Sequence, residues 1–181
     1  HTPQTLEKEV CLPPFAIDAH PITNRQFKDF LSHSDYQPEC RENFLKHWID
    51  GEPPPGEDNN PVVYVNLDDA RAYAAYYGKR LPTEFEWQYA GEQGSLEFAN
   101  RRVWEWTESV HTDGRTRFCM LKGGSDYQAE GSQWYADGGP RPCDFSAKYI
   151  LTWPGLDRCE TIGFRCAFTV DSRQIKNVST K

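Results

Sequence analysis

Arg80-Leu81-Pro82-Thr83-Glu84-Phe85-Glu86-Trp87-Gln88-Tyr89-Ala90 carries the clearest local instruction in this chain of 181 residues. Pro82 holds Leu81 away from helical backbone angles, so a helix is predicted to begin sharply at Thr83. Thr83 and Glu86 have the T-x-x-E spacing of a capping box. In that motif the Thr hydroxyl accepts from the amide three residues on, and the Glu carboxylate accepts from the Thr amide. Trp87 and Ala90, three apart, share one face, which is predicted to point inward.

The same grammar recurs on either side. Thr23 caps a predicted helix over 23–32 with Phe27, Phe30 and Leu31 on one face. Asn66 or Asp68 caps another, in which Ala70, Tyr73, Ala74 and Tyr77 recur at i, i+3, i+4 and i+7. Gly78 stops it. Strands are predicted over 10–17 (interrupted by Pro13-Pro14), 61–65, 103–107, 117–121 and 162–169. Residues 34–60 form a long loop around the apolar piece 43–48, ending in a stretch with polyproline tendency at 51–56. A loop of that length inside a compact domain is usually functional or mobile.

Composition narrows the function. A net charge of −7 argues against a partner held through nucleic-acid phosphates. No apolar run approaches the length of a membrane span. Residues 1–9 are polar, so no signal peptide is expected, and a trimmed start is compatible with them. Aromatic residues make up 14% of the chain, which suits a fold whose loops are pinned by large side chains. The six cysteines match neither a zinc ribbon nor a C-x-x-C pair.

RLPTEFEW resembles the central signature of the formylglycine-generating enzyme (sulfatase-modifying factor) superfamily. Three further pieces agree in order: PITNRQF at 21–27, VWEWTES at 103–109, and GGS at 123–125 followed by GFRCAF at 163–168. The resemblance implies an α+β fold, an irregular C-type-lectin-like domain with short strands, few helices and long loops. It would occupy residues 1–170 as a single domain, with a polar C-terminal tail at 171–181. The resemblance also leans towards a secreted or cell-surface location.

The oxidases of this superfamily hold copper between two cysteines, at the third and eighth residues after the Ser of GGS. Those positions here are Gln128 and Gln133. Soft thiolates suit Cu(I) and amides do not, so the substitution argues against formylglycine synthesis and makes copper an unexpected cofactor. Replacement thiols would have to come from Cys119 or Cys143. Calcium is the cofactor the resemblance leaves open, with Glu105 and the Val103 carbonyl as its implied ligands. Most of the implied shell is missing, however. Only residues 91–102 stand where the family runs through several dozen, and the expected Gly-Asn before Val103 is Arg101-Arg102. Either this is a deletion or the sequence omits residues there. The iron-dependent branch of the superfamily needs clustered histidines, and His1, His20, His33, His47 and His111 lack that spacing. His47 is expected to be a loop or core histidine. The family's partner for the GFRC cysteine would stand at Ala74, so Cys166 is expected to be a buried free thiol. Other pairings, such as Cys143 with Cys159, stay open.

The segment 126–162 is rich in aromatics separated by Gly and Pro turns, and in the family it lines the substrate groove. Large rigid rings beside Asp, Gln and Arg have the composition of a recognition surface, and equally of a core poor in regular structure. Asp126, Tyr127, Gln128, Gln133, Trp134, Tyr135 and Trp153 are the candidate ligand-binding residues, with Trp134 and Tyr135 the best placed for exposure between flanking glycines. Arg165 is expected to be structural. Residues 132–135 and 155–158 also resemble a bacterial branch without the copper cysteines. The expected function is a non-catalytic module that binds a peptide, glycan or partner protein in a groove formed by 126–153. The alternatives are an oxidase with relocated thiols and a display domain with a variable binding surface.

Overall fold

The computed structural model describes residues 8–98, 100–127, 138–151 and 156–171. Among these residues, three helices and nine short strands make a mixed α+β domain of small separate sheets. The tail beyond residue 171 lies outside the described residues.

Each helix starts at a capping box. Helix α1 (Asn24–His33) begins at Thr23, whose hydroxyl accepts from the Gln26 amide while the Gln26 side chain accepts from the Thr23 amide. Helix α2 (Leu67–Tyr76) begins at Asn66, paired in the same way with Asp69. Helix α3 (Glu84–Glu92) begins at Thr83, paired with Glu86. Each box satisfies two backbone donors that a helix start otherwise leaves open. The predicted inward faces are largely kept: Phe27, Phe30, Ala70, Tyr73, Ala74, Trp87 and Ala90 are buried. Tyr77 is the exception. It lies one residue past the end of α2 as the C-cap and is exposed, with Gly78 following in a left-handed conformation.

The strands pair across long stretches of chain. β1 (Phe15–Ile17) runs antiparallel to β9 (Ala167–Thr169), and β2 (Trp104–Glu105) runs parallel to β8 (Ile162–Gly163). A three-stranded sheet has the order β3 (Val110–Thr112), β4 (Arg117–Leu121), β7 (Ala147–Leu151). β5 (Gly124–Ser125) pairs with β6 (Gly139–Pro140). Strand β4 has the predicted bounds, and the predicted 10–17 and 103–107 strands shrink to β1 and β2. The predicted 162–169 strand divides in two because its ends have different partners. Between them Phe164 and Cys166 give their carbonyls to the Ile22 and Asp18 amides. Residues 61–65 do not form the predicted strand. Tyr64 adopts φ of 55°, and its neighbours are bonded one by one: Val62 donates to the Ile22 carbonyl, Tyr64 to that of Cys159. A bulky residue at positive φ breaks the pleat a ladder requires. Val62, Val63 and Val65 are nevertheless buried.

One aromatic nucleus joins these pieces. Tyr73 of α2 stacks on Phe27 of α1 at 5.7 Å and meets Phe164 edge-on at 5.4 Å. Trp106 is fully buried, donates its indole N–H to the Val65 carbonyl, and meets Tyr149 of β7 edge-on at 5.3 Å.

The α3 start gives a test in acid. Burial pushes the Glu86 carboxyl up, but the hydrogen bonds from Arg80 and Thr83 outweigh it and leave its pKa below the ordinary 4.5. A depressed carboxyl stabilises the fold above its unfolded pKa and loses that contribution as pH falls through the folded value. Urea unfolding should therefore show the wild-type midpoint falling more between about pH 5 and pH 3 than that of Glu86→Gln. Thr83→Ala should cost about 1 kcal/mol at neutral pH.

Candidate functional site

The candidate groove lies around the segment that follows Gly123-Gly124-Ser125, and the fold fixes that segment at its base. Gly124 pairs with Pro140 and Ser125 with Gly139 in the short β5–β6 ladder. Only glycine suits position 124: its φ is 76°, and a Cβ there would stand 2.7 Å from the Arg141 amide nitrogen. The next residue, Asp126, is clamped to Arg102 by two bonds. Its amide donates to the Arg102 carbonyl at 3.1 Å, and its carboxylate accepts from the Arg102 amide at 2.7 Å. Tyr127 is 57% exposed and is thus available to a ligand. Gln128, Gln133, Trp134, Tyr135 and Trp153 lie outside the described residues.

Among the other aromatics of 126–162, Phe145 is exposed and lies 5.2 Å from the Arg141 guanidinium. Tyr149 belongs to the interior side instead. It packs on Trp106, and burial pushes its hydroxyl up to about 12.

Behind this segment stands a buried polar system. Glu105, Arg165 and Trp87 are all fully buried. Arg165 donates to both carboxylate oxygens of Glu105, at 2.6 and 2.8 Å, and the Trp87 indole N–H donates to one of them at 2.7 Å. The remaining Arg165 hydrogens reach the carbonyls of Asp18, Ala19 and Glu97. Arg165 is thus structural, as expected. Of the two implied calcium ligands, Glu105 already accepts three N–H donors in this system, and Val103, two residues earlier, is buried.

Lys122, directly before the two glycines, was not singled out from the sequence. It is fully buried, donates to Ser146 Oγ at 3.1 Å, and lies 5.7 Å from the Trp87 ring centroid. Ser146 in turn donates to Glu84 at 2.8 Å. Burial lowers the Lys122 ammonium to about 8, against an ordinary 10.5. A lone lysine between Leu121 and Gly123, at the end of a strand whose alternate residues are apolar, was the available signal.

The two thiols named as possible replacements, Cys119 and Cys143, have different surroundings. Cys143 and Cys159 are both free thiols, so the pairing between them left open by the spacing is not formed. Cys119 is buried, its thiol donates to the Thr107 carbonyl at 3.2 Å, and burial pushes its pKa up. Cys166 is the expected buried free thiol, pushed up to about 12 by the same cause. Cys143 packs its sulfur against Gly91 of α3. Copper(I) binds thiolates, so burial that keeps Cys119 and Cys166 protonated works against copper at those two sulfurs. No three His, Cys, Asp or Glu side chains gather as a metal-ion set among the described residues.

One other feature, a cleft, falls outside the sequence expectations, and His47 lies half-buried in the long loop, as expected. A cleft of about 620 Å³ is lined by Tyr36, Gln37, Glu39, Cys40, Asn66, Asp68, Asp69 and Arg158. Its floor is a buried pair, with Arg158 donating to both oxygens of Asp69 while Tyr36 donates to the same carboxylate. His47 has both ring nitrogens buried without a hydrogen-bond partner, and burial lowers its pKa.

Comparison with known proteins gives the following. The description of the sulfatase-modifying factor enzyme 1-like domain matches residues 3–102. "Inactive C-alpha-formylglycine-generating enzyme 2" of Mus musculus is 36% identical over 121 residues, covering 48% of this chain and 39% of that protein. "Formylglycine-generating enzyme" of Thermomonospora curvata is 29% identical over 167 residues, covering 74% of this chain and 54% of that protein. "Uncharacterized protein YfmG" of Bacillus subtilis is 36% identical over 111 residues, covering 55% and 20%. The chain spans about two fifths of the length of the mouse relative. No described helix is long and apolar enough to cross a membrane.

Lys122 yields a prediction whose sign is set by burial. An amine whose folded pKa lies below its unfolded one burdens the fold while charged, so stability should rise as pH climbs from about 8 to about 10.5. Chemical denaturation of Lys122→Met across that range should show the rise abolished.

Proposed function

The chain belongs to the sulfatase-modifying factor enzyme 1-like family, and within it we propose a non-catalytic binding module whose ligand, a peptide or protein segment, lies in the groove formed by residues 126–153. The observation that carries this reading is the pair of amides, Gln128 and Gln133, where resemblance to the oxidases places the copper-binding sulfurs. Redox chemistry at that position needs thiolates, and the described cysteines lie elsewhere: Cys119 is tied to the Thr107 carbonyl and Cys143 is packed on α3. That a relative carries the word "Inactive" in its name agrees with a family in which the scaffold outlives the chemistry.

Other supports are local. The β5–β6 ladder and the Arg102–Asp126 clamp brace the start of the groove on the domain body. Tyr127 is exposed directly beyond that clamp. An exposed ring next to a braced backbone offers contact area with little ordering cost on binding. In this reading Asp126 and Tyr127 flank the ligand, with Gln128, Gln133, Trp134, Tyr135 and Trp153 as further contacts. Peptide is the class favoured over glycan because the family's substrate groove is a peptide groove by resemblance.

An oxidase with relocated thiols is the competing reading, kept because relatives in the comparison are named formylglycine-generating enzymes. One experiment separates the two. The protein is loaded with copper(I) and incubated with a cysteine-bearing peptide under air, and the peptide is analysed for aldehyde by mass spectrometry. The expected result is no copper retained and no aldehyde. Aldehyde formation that disappears on Cys119→Ser or Cys143→Ser would replace the binding-module reading. For the groove, peptide-library selection followed by titration should give affinities that fall about tenfold or more in Trp134→Ala and Tyr135→Ala, the loss expected of aromatic anchors.

A further inference from the structure

The calcium ion implied by family resemblance does not fit the residues present, and what occupies its surroundings is a specific alternative. A calcium site needs six to eight oxygen ligands at 2.3–2.6 Å. Of the two implied ligands, Glu105 already has three N–H groups on its carboxylate, two of them from the cationic Arg165. Its charge is therefore matched from inside the domain.

The second departure is at position 102, where resemblance expects Asn, a neutral oxygen donor, and the chain has Arg. The Arg102 guanidinium lies 3.6 Å from the Phe98 ring centroid and donates to the Gly123 carbonyl at 3.2 Å. Arg165 lies 5.5 Å from the same ring. Two guanidinium groups thus converge on one aromatic side chain beside Glu105. A dication brought among them would meet like charge and find few free oxygens.

The connection that supplies Phe98 is itself fastened down. After α3 ends, Ser95 donates to the Ala90 carbonyl and Glu97 to that of Ala19. The Glu97 carbonyl accepts from Arg165 at 3.3 Å, and Phe98 packs 6.1 Å from Trp87. Arg101 reaches the Glu160 carbonyl at 3.1 Å, and Arg102 is clamped to Asp126. These anchors tie residues 91–102 to both halves of the chain. The comparison fits a shortened link. The mouse relative aligns over 121 positions yet takes in 48% of this chain, about 87 residues, so about 34 aligned positions have no residue here.

We propose that the cationic counterpart of the 103–106 element in this chain is the arginine pair Arg102 and Arg165 gathered on Phe98, and that the short 91–102 link holds its place without a divalent cation. Arg165 neutralises the buried carboxylate, and Arg102 joins the link, through Phe98 and Gly123, to the base of the groove. At the position where resemblance expects a neutral Asn, the chain thus carries a positive charge. The proposal is independent of what the groove binds.

The experiment compares thermal melting of the chain after EGTA treatment and after calcium is restored, alongside titration with terbium, whose luminescence nearby tryptophans sensitise when it enters a calcium site. The expected outcome is one melting midpoint under both conditions and no saturable terbium signal. A midpoint raised by calcium, or a terbium signal removed by Glu105→Gln, would overturn the proposal. Arg102→Met should lower the midpoint, with no recovery on adding calcium; an unchanged midpoint would remove Arg102 from the account. Should that variant fail to fold, Arg102→Lys keeps the charge but loses the planar group, and its midpoint should fall below wild type. Equality with wild type would again count against the stacked pair.

Discussion

The buried ion pair between Glu105 and Arg165 is the constraint on which the rest of the domain depends. Two charges removed from water cost far more than they return unless every donor and acceptor is matched. Here the matching is complete enough to determine geometry. Glu105 sits on β2 and Arg165 just beyond β8, the two strands of the parallel pair. Trp87 brings α3 to the same carboxylate, and the Asp18, Ala19 and Glu97 carbonyls bring the segment after β1 and the 91–102 link to the same guanidinium. One ionic contact therefore sets the relative positions of segments from both ends of the chain. The net energetic worth of such a pair against an apolar replacement is often small, so its use here is to select one arrangement.

A second pair repeats the device near the other edge of the domain. Arg158 and Asp69 are both buried, and Tyr36 donates to the same carboxylate. The arginine also reaches the Cys40 and Glu42 carbonyls, so it fastens part of the long 34–60 loop to the N-terminal turn of α2. Asp69 carries two tasks at once, since its carboxylate also closes the α2 capping box. Small separate sheets cannot hold such loops by ladder bonds, and multivalent guanidinium groups do that work in their place.

Much of the fold was legible locally. All three capping boxes are spelled out in four-residue windows, and α3 begins where Pro82 and Thr83 require. The buried faces of Phe27, Phe30, Ala70, Tyr73 and Trp87 follow from helical spacing. Strand β4 was legible as the apolar run from Phe118 to Leu121. Strands β3 and β7 were missed because each is a short ribbon whose identity depends on the partner it meets across β4. The false strand at 61–65 shows the same limit from the other side: Val62, Val63 and Val65 are as apolar as a strand, but the positive φ of Tyr64 follows from its bonding to Cys159 and Leu45. For the candidate site, Asp126 and Tyr127 were singled out from composition and Arg102 only as a departure from the family pattern, while Lys122 was passed over. The significance of Lys122 and Arg102 lies in what surrounds them, a tryptophan ring and a phenylalanine ring from elsewhere in the chain.

The sequence by itself determined the helix starts, the family, and the absence of a sulfur pair after Gly123-Gly124-Ser125, because each of these is a property of a few adjacent residues. The tertiary structure alone decided that Glu105 is neutralised by Arg165, that a lysine is buried beside Trp87 and linked to Glu84 through Ser146, and that two arginines share one phenylalanine. Those outcomes join residues as far apart in sequence as Phe98 and Arg165. Burial, which sets the strength of every charge in such a cluster, exists only once the chain has closed around it.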